Sequence, residues 1–159
     1  MTNFQKVVDF NTAFGMDISS TPRPNLYDTN PKNVELALAL IEEEVGELKE
    51  AIQTKDFTET RDALADILYV VYGAAARFGI NADADFDIVH RSNMSKLCDT
   101  EEIAQQTVAK YQADYQAGNS TYDSPYYEFI GGTINKWIVK NKSTGKALKS
   151  IHYTKVKFD

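Results

Sequence analysis

A mainly α fold, a four-helix-type bundle closed by a small C-terminal β-hairpin, is what this sequence predicts, and three observations predict it. Residues Pro31 to about Lys55 are strong helix formers with apolar positions at helical spacing, and Phe57 to Arg77 are apolar nearly all round. After Pro125 the composition turns to Ile, Val, Trp, Tyr and Thr, the residues of strands. The chain length of 159 residues suits one ordinary domain, expected as a helical body over 1–120 with 121–159 as an extension of it.

Taken in order, Thr2 or Asn3 can cap a first helix to about Ala13, with Phe4, Val7, Val8 and Phe14 at helical spacing and Gly15 as its stop. Ser19 to Asn25 contains Pro22 and Pro24 among small polar residues, so an extended linker is expected, closed by Asp28-Thr29-Asn30-Pro31. Pro31 stands where a first-turn proline opens the second helix. Asp56 caps a third helix that Gly79 ends, and its apolar surface marks it as the buried one. Asp83 or Asp85 opens a fourth helix carrying Phe86, Ile88, Val89 and His90 through Leu97. Thr100-Glu101-Glu102 opens a fifth to about Ala117, with Gly118-Asn119-Ser120 beyond it. Thr133 to Val139 and Ala147 to Phe158 are expected to pair as a hairpin about the turn Asn141 to Lys146, with Trp137 and Tyr153 exposed on it.

The formal net charge is -6 and the pI is about 4.9, which disfavours a protein that grips nucleic acid backbones. The lysines from Lys136 to Lys157 alternate as on a solvated hairpin face, so no nucleic acid partner is expected. An acidic protein that handles polyphosphates must recruit cations to do so. Cys98 is the single cysteine and cannot form an intrachain disulfide, and no Cys or His cluster has zinc spacing. The N-terminus lacks a charged segment followed by an apolar one, and no run reaches about 18 apolar residues, so no membrane association and a cytoplasmic location are expected.

The carboxylates of the second and third helices carry the chemical information. At about 100° per residue, Leu38, Ile41, Val45, Leu48 and Ile52 form an apolar stripe that Ala37, Leu40 and Ala51 widen to one side. Glu44 projects between Ala37 and Ala51, Glu47 beside Leu40, and Glu43 one step further round. On the third helix a narrow strip holding Glu59, Asp62, Asp66 and Gly73 is surrounded by Ile67, Leu68, Val70, Val71 and alanines. Burying an unpaired carboxylate costs several kcal/mol, and the nearby Lys49, Lys55 and Arg61 project elsewhere. Hard cations that favour all-oxygen ligands, Mg²⁺, Mn²⁺ or Ca²⁺, are the expected compensation.

Glu43-Glu44-Val45-Gly46-Glu47-Leu48, followed by Asp62-Ala63-Leu64-Ala65-Asp66-Ile67-Leu68-Tyr69, resembles the paired signature of the MazG-like superfamily. Val70-Val71-Tyr72-Gly73 and Asn93-Met94-Ser95-Lys96 are similar to its phosphoribosyl-ATP pyrophosphohydrolase-like branch, and the resemblance is strongest over 34–97. It implies an all-α nucleoside triphosphate pyrophosphatase with Glu43, Glu44, Glu47 and Asp66 as metal ligands or groups that orient the attacking water. Ala63 departs from the pattern, standing where many members have Glu; Asp62, one residue earlier, is the nearest substitute. Asn93 and Lys96 are implied as nucleotide and phosphate contacts.

The activity so implied is Mg²⁺-dependent cleavage of an NTP or dNTP to its monophosphate and pyrophosphate, with Mn²⁺ able to substitute and Glu43 or Glu44 as proton acceptor. Two alternatives stay open: phosphoribosyl-ATP hydrolysis, and a helical nucleotide- or metal-binding module without catalysis, to which Ala63 lends weight. The apolar third helix, together with the packing of related proteins, implies a homodimer or homotetramer.

Overall fold

The computed structural model describes residues 1–158, which fall into two compact units, Met1–Phe86 and the residues from Asp87 onward. The fold is mainly helical with a small antiparallel sheet near the C-terminus, as expected. Each unit is built by its own logic.

The first unit contains α1 (Asn3–Ala13), α2 (Leu26–Thr29), α3 (Pro31–Thr54), α4 (Phe57–Phe78) and the opening of α5 (Ala82–Met94). Thr2 caps α1 by accepting from the Gln5 amide at 3.1 Å. Asn30 caps α3 beside Pro31, and Lys55 ends it in the left-handed region at φ 58°. Asp56 follows at once and caps α4, accepting from the amides of Thr58 and Glu59 at 2.9 and 3.1 Å. With one residue turning and the next capping, α3 and α4 fold into a hairpin, and α1 packs against α4. The opening of α5 lies earlier than Asp83, because Asn81 accepts from the Ala84 amide at 3.2 Å.

The linker has a task the sequence does not announce. Its backbone amides at Ser19 and Arg23 donate to the Ala76 and Phe78 carbonyls at 3.0 and 2.8 Å. Arg23 Nε donates to the Arg77 carbonyl at 2.9 Å, so one passing segment donates to three of the last carbonyls of the helix, of which that of Ala76 also accepts from the Gly79 amide at 3.2 Å. Gly79 allows this approach: its φ is 69°, and a Cβ there would overlap the Thr21 carbonyl. Asp17 anchors the other side, accepting from Arg23 at 2.8 Å, Asn30 at 2.9 Å and Asn33 at 3.0 Å. Asn33 in turn accepts from the buried Arg77 guanidinium. The expected linker is therefore real, but it also forms one helical turn, α2, whose Leu26 is buried.

The face that α3 and α4 bury differs from expectation. Ala37, Ala51, Ala63 and Ala76 are buried, whereas Leu38 and Ile52 on α3 and Leu64, Leu68 and Val71 on α4 are exposed. Larger apolar residues such as Leu40, Ile41, Val45, Leu48, Ile67 and Val70 are half-buried. The third predicted helix is thus not the buried element of this chain; it presents an apolar surface.

The second unit contains α5 from Asp87, α6 (Glu101–Gln116), and strands β1 (Pro125–Ile130), β2 (Lys136–Asn141) and β3 (Ala147–Leu148) in the order β1-β2-β3, all antiparallel. The predicted hairpin is corrected in two ways. A full strand, β1, precedes it, pairing Pro125 with Asn141 through Ile130 with Lys136. Pro125 is tolerated because it opens an edge strand. The segment expected as a strand to Phe158 pairs only at Ala147 and Leu148. The predicted fourth helix also stops at Met94, three residues before Leu97.

The core of this unit is Cys98, Ala104, Val139 and Leu148, covered by Trp137 and by tyrosines 111, 122 and 127. Trp137 is half-buried, contrary to expectation, with its ring centroid 5.6 Å from that of Tyr127 and 5.1 Å from that of Phe129. Tyr153 is likewise half-buried. Cys98 is a free, buried thiol, its backbone bridged to Trp137 in both directions at 2.8 and 2.9 Å.

Candidate metal centre

On α3, one turn separates Glu43 from Glu47, and Glu44 lies midway between the buried Ala37 and Ala51. The helix face that packs on α4 therefore carries a carboxylate at its centre. Across the hairpin, α4 supplies Asp62 and Asp66, which flank the buried Ala63. Asp66 is half-buried and Asp62 exposed. A Glu at position 63 would sit in the helix contact itself, which is where the small Ala63 now lets the helices close.

Glu44 lies in the field of the other four acids. Burial pushes its carboxyl above the ordinary value of 4.5, and the negative fields of Glu47, Asp66, Glu43 and Asp62, in that order, push it further. Its Oε2 is buried without a hydrogen-bond partner. Leaving a buried acceptor unsatisfied costs about 1–3 kcal/mol, and more for a charged group. Four further acids around it exclude relief by another anion and call for a cation. A hard divalent ion fits this donor set, which is all carboxylate oxygen. Among the described residues, no three His, Cys, Asp or Glu side chains converge closely enough to enclose a metal. The acids share one electrostatic neighbourhood without forming a closed coordination sphere.

Beside Glu47 the hairpin end holds a cavity of about 320 Å³ lined by Glu47, Glu50, Ala51, Thr54, Asp56 and Glu59. Glu50 projects within about 20° of Glu43 on the helix wheel, and the turn at Lys55 and Asp56 brings it to the same hollow as Glu59. The other two candidates, Asn93 and Lys96, belong to the second unit, where Lys96 Nζ donates to Asn93 Oδ1 at 2.7 Å. Asn93 is exposed and Lys96 half-buried.

The profile of the phosphoribosyl-ATP pyrophosphohydrolase family matches residues 7–93, a span that includes all five acids and Asn93 but ends before Lys96. The chain is also similar to "Uncharacterized protein L479" of Acanthamoeba polyphaga mimivirus, with 35% identity over 127 residues, or 80% of this chain. It spans 46% of the length of that relative.

Proposed function

The chain belongs to the phosphoribosyl-ATP pyrophosphohydrolase family, part of the MazG-like all-α superfamily, and from that membership we propose that it is a Mg²⁺-dependent nucleoside triphosphate pyrophosphohydrolase, with Mn²⁺ able to substitute. The observation that carries the reading is the buried, unpartnered Glu44 Oε2 among Glu43, Glu47, Asp62 and Asp66. Glu44, Glu47 and Asp66 would hold the cation, with Asp62 in the place left by Ala63. Such an ion supplies charge neutralisation on the triphosphate and makes a nearby water more acidic.

The chain's own side chains do the rest. Glu43 or Glu44 accepts the proton of a water as its oxygen forms a bond to the α-phosphorus. The bond from that phosphorus to the α,β-bridging oxygen breaks, and pyrophosphate leaves with the electron pair. Asn93 and Lys96 contact the nucleotide and its phosphates, Lys96 as a point charge. The acidity of the protein suits this division of labour, because the ion brings the positive field. The substrate is an NTP or dNTP in a cytoplasmic setting; among the described residues no single helix is long and apolar enough to cross a membrane.

A second copy of the chain completes the proposal. Leu38 and Ile52 of α3 and Leu64, Leu68 and Val71 of α4 are exposed at 42–60%, and burying the half of each that is still exposed would contribute about 1 kcal/mol apiece. A homodimer or homotetramer would use this surface as a four-helix interface.

The test is pyrophosphate release from a panel of NTPs and dNTPs, with and without Mg²⁺ or Mn²⁺. Phosphoribosyl-ATP is included because the family description names it. Metal-dependent monophosphate formation, lost in Glu47→Gln and Asp66→Asn, is the expected outcome. Full turnover in Glu47→Gln would sink the assignment, and no turnover across the panel would favour a binding module.

A further inference from the structure

In the second unit the chain beyond β3 runs back along the end of α5 as a strap. The Ser150 amide donates to the Lys96 carbonyl at 3.1 Å, Ser92 Oγ donates to the Thr154 carbonyl at 2.9 Å, and the Thr154 amide donates to Ser95 Oγ at 2.9 Å. Three bonds over five residues hold the strap against the end of the helix and the turn that follows it. They also place Lys155 and Lys157 opposite Arg91, around a cavity of about 310 Å³ with Ile88 and Val156 in its wall.

The charge in this hollow is one-sided. Among the described residues, Arg91, Lys155 and Lys157 have no carboxylate within ion-pair distance; the ion pairs lie elsewhere, at Arg23, Lys110, Lys136 and Lys140. Alongside, Lys149 Nζ stands 4.5 Å from the centroid of the Tyr153 ring. The Tyr153 phenol is held below its ordinary value of 10.0, first by the Ser92 hydrogen bond and then by the fields of Lys149, Lys96 and Lys155. Cations gathered from two segments repel one another unless solvent or an anion offsets them. Ordered backbone bonds keep them gathered in a chain that is acidic overall.

We propose that the strap and the end of α5 form a polyphosphate-binding site. Arg91 takes two phosphate oxygens through its planar fork, Lys155 and Lys157 act as point charges, and Lys96 and Lys149 add to the field. The site itself rests on the strap; that its occupant is the polyphosphate of a nucleoside triphosphate rests on the pyrophosphohydrolase reading.

Calorimetric titration of the full chain in EDTA, with inorganic tripolyphosphate, pyrophosphate, dATP and a short single-stranded oligonucleotide, tests it. Tripolyphosphate is expected to bind, and a Lys155→Gln, Lys157→Gln double variant to lose about ten-fold or more, the loss of two charge-assisted contacts. The matching Lys→Arg double variant is expected to keep the affinity, which separates charge from any effect on folding. Similar binding of dATP and tripolyphosphate would support a site that reads the phosphates whichever molecule carries them. The proposal is overturned by no binding of any phosphate anion, by unchanged binding in the Gln variant, or by binding of the oligonucleotide alone. Glu44→Gln keeps the two readings apart: it is expected to lose turnover and retain tripolyphosphate binding, and if it retains turnover the metal reading fails while this site stands.

Discussion

At the scale of single residues, Glu44 concentrates the energetic conflict of the first unit. Its carboxylate lies on the packed face with a buried, unpartnered oxygen and four acids around it, so the protein without a cation carries a strain that a neutral side chain would relieve. Glu44→Gln is expected to raise the melting temperature in EDTA at neutral pH and to remove the further rise that Mg²⁺ produces in the wild type. A variant less stable than the wild type in EDTA would show that Glu44 is not under this strain. The position was legible in the sequence, because projection places it between Ala37 and Ala51 whichever neighbour the face meets. Arg77 and Asn33 were not legible as partners. An Arg in the last turn of a helix reads as a surface charge suited to the helix dipole, and only the fold brings Asn33 to it across 44 residues.

At the scale of elements, the end of α4 depends on the linker that covers it. Gly79→Ala forces a side chain into the left-handed region and against the Thr21 carbonyl. It is expected to cost about 1–3 kcal/mol, read from the urea midpoint. Asp17, at the other end of the same network, is held below its ordinary value of 3.8 chiefly by its hydrogen bond from Arg23, with Asn30, the Arg23 charge and Asn33 adding. A carboxylate lowered in the folded state contributes stability above pH 3.8 and loses it as the pH falls through the lowered value. The advantage of the wild type over Asp17→Asn in urea is therefore expected to be present at neutral pH and to fade below pH 3.8; a difference that stays constant with pH would refute the role of the charge. Helices were legible with their caps Thr2, Asp56 and Thr100, since capping needs only local side-chain chemistry. Strand β1 was missed although Pro125 and Gly131-Gly132 bound an aromatic run, and β3 was overextended. Strand length depends on a partner's register, which the residues of one strand do not state.

At the scale of the whole molecule, the fully buried apolar residues of the helical hairpin are alanines, and the large apolar residues left exposed are the surface that the proposed oligomer would cover. Leu68→Asp, at a residue 57% exposed, is expected to convert the protein to monomers by light scattering, with little loss of helix by circular dichroism. A wild type already monomeric at micromolar concentration would remove the interface from the proposal. The charge is also divided between the units: the first holds most of the acids and the second has more basic than acidic residues. That division places the acidic cluster and the basic hollow on different units, while the net charge of -6 reports only their sum. The sequence by itself determined the helical class, the main helix boundaries and the carboxylates that share one face, because periodicity, capping and propensity act over a few residues. Tertiary structure alone decided that alanines are the fully buried apolar residues of α3 and α4 while Leu38, Leu64 and Leu68 stay exposed, that a linker caps α4, and that the last residues form a basic strap instead of a strand. Each of these depends on which distant segment arrives at a given face, and no local pattern specifies that.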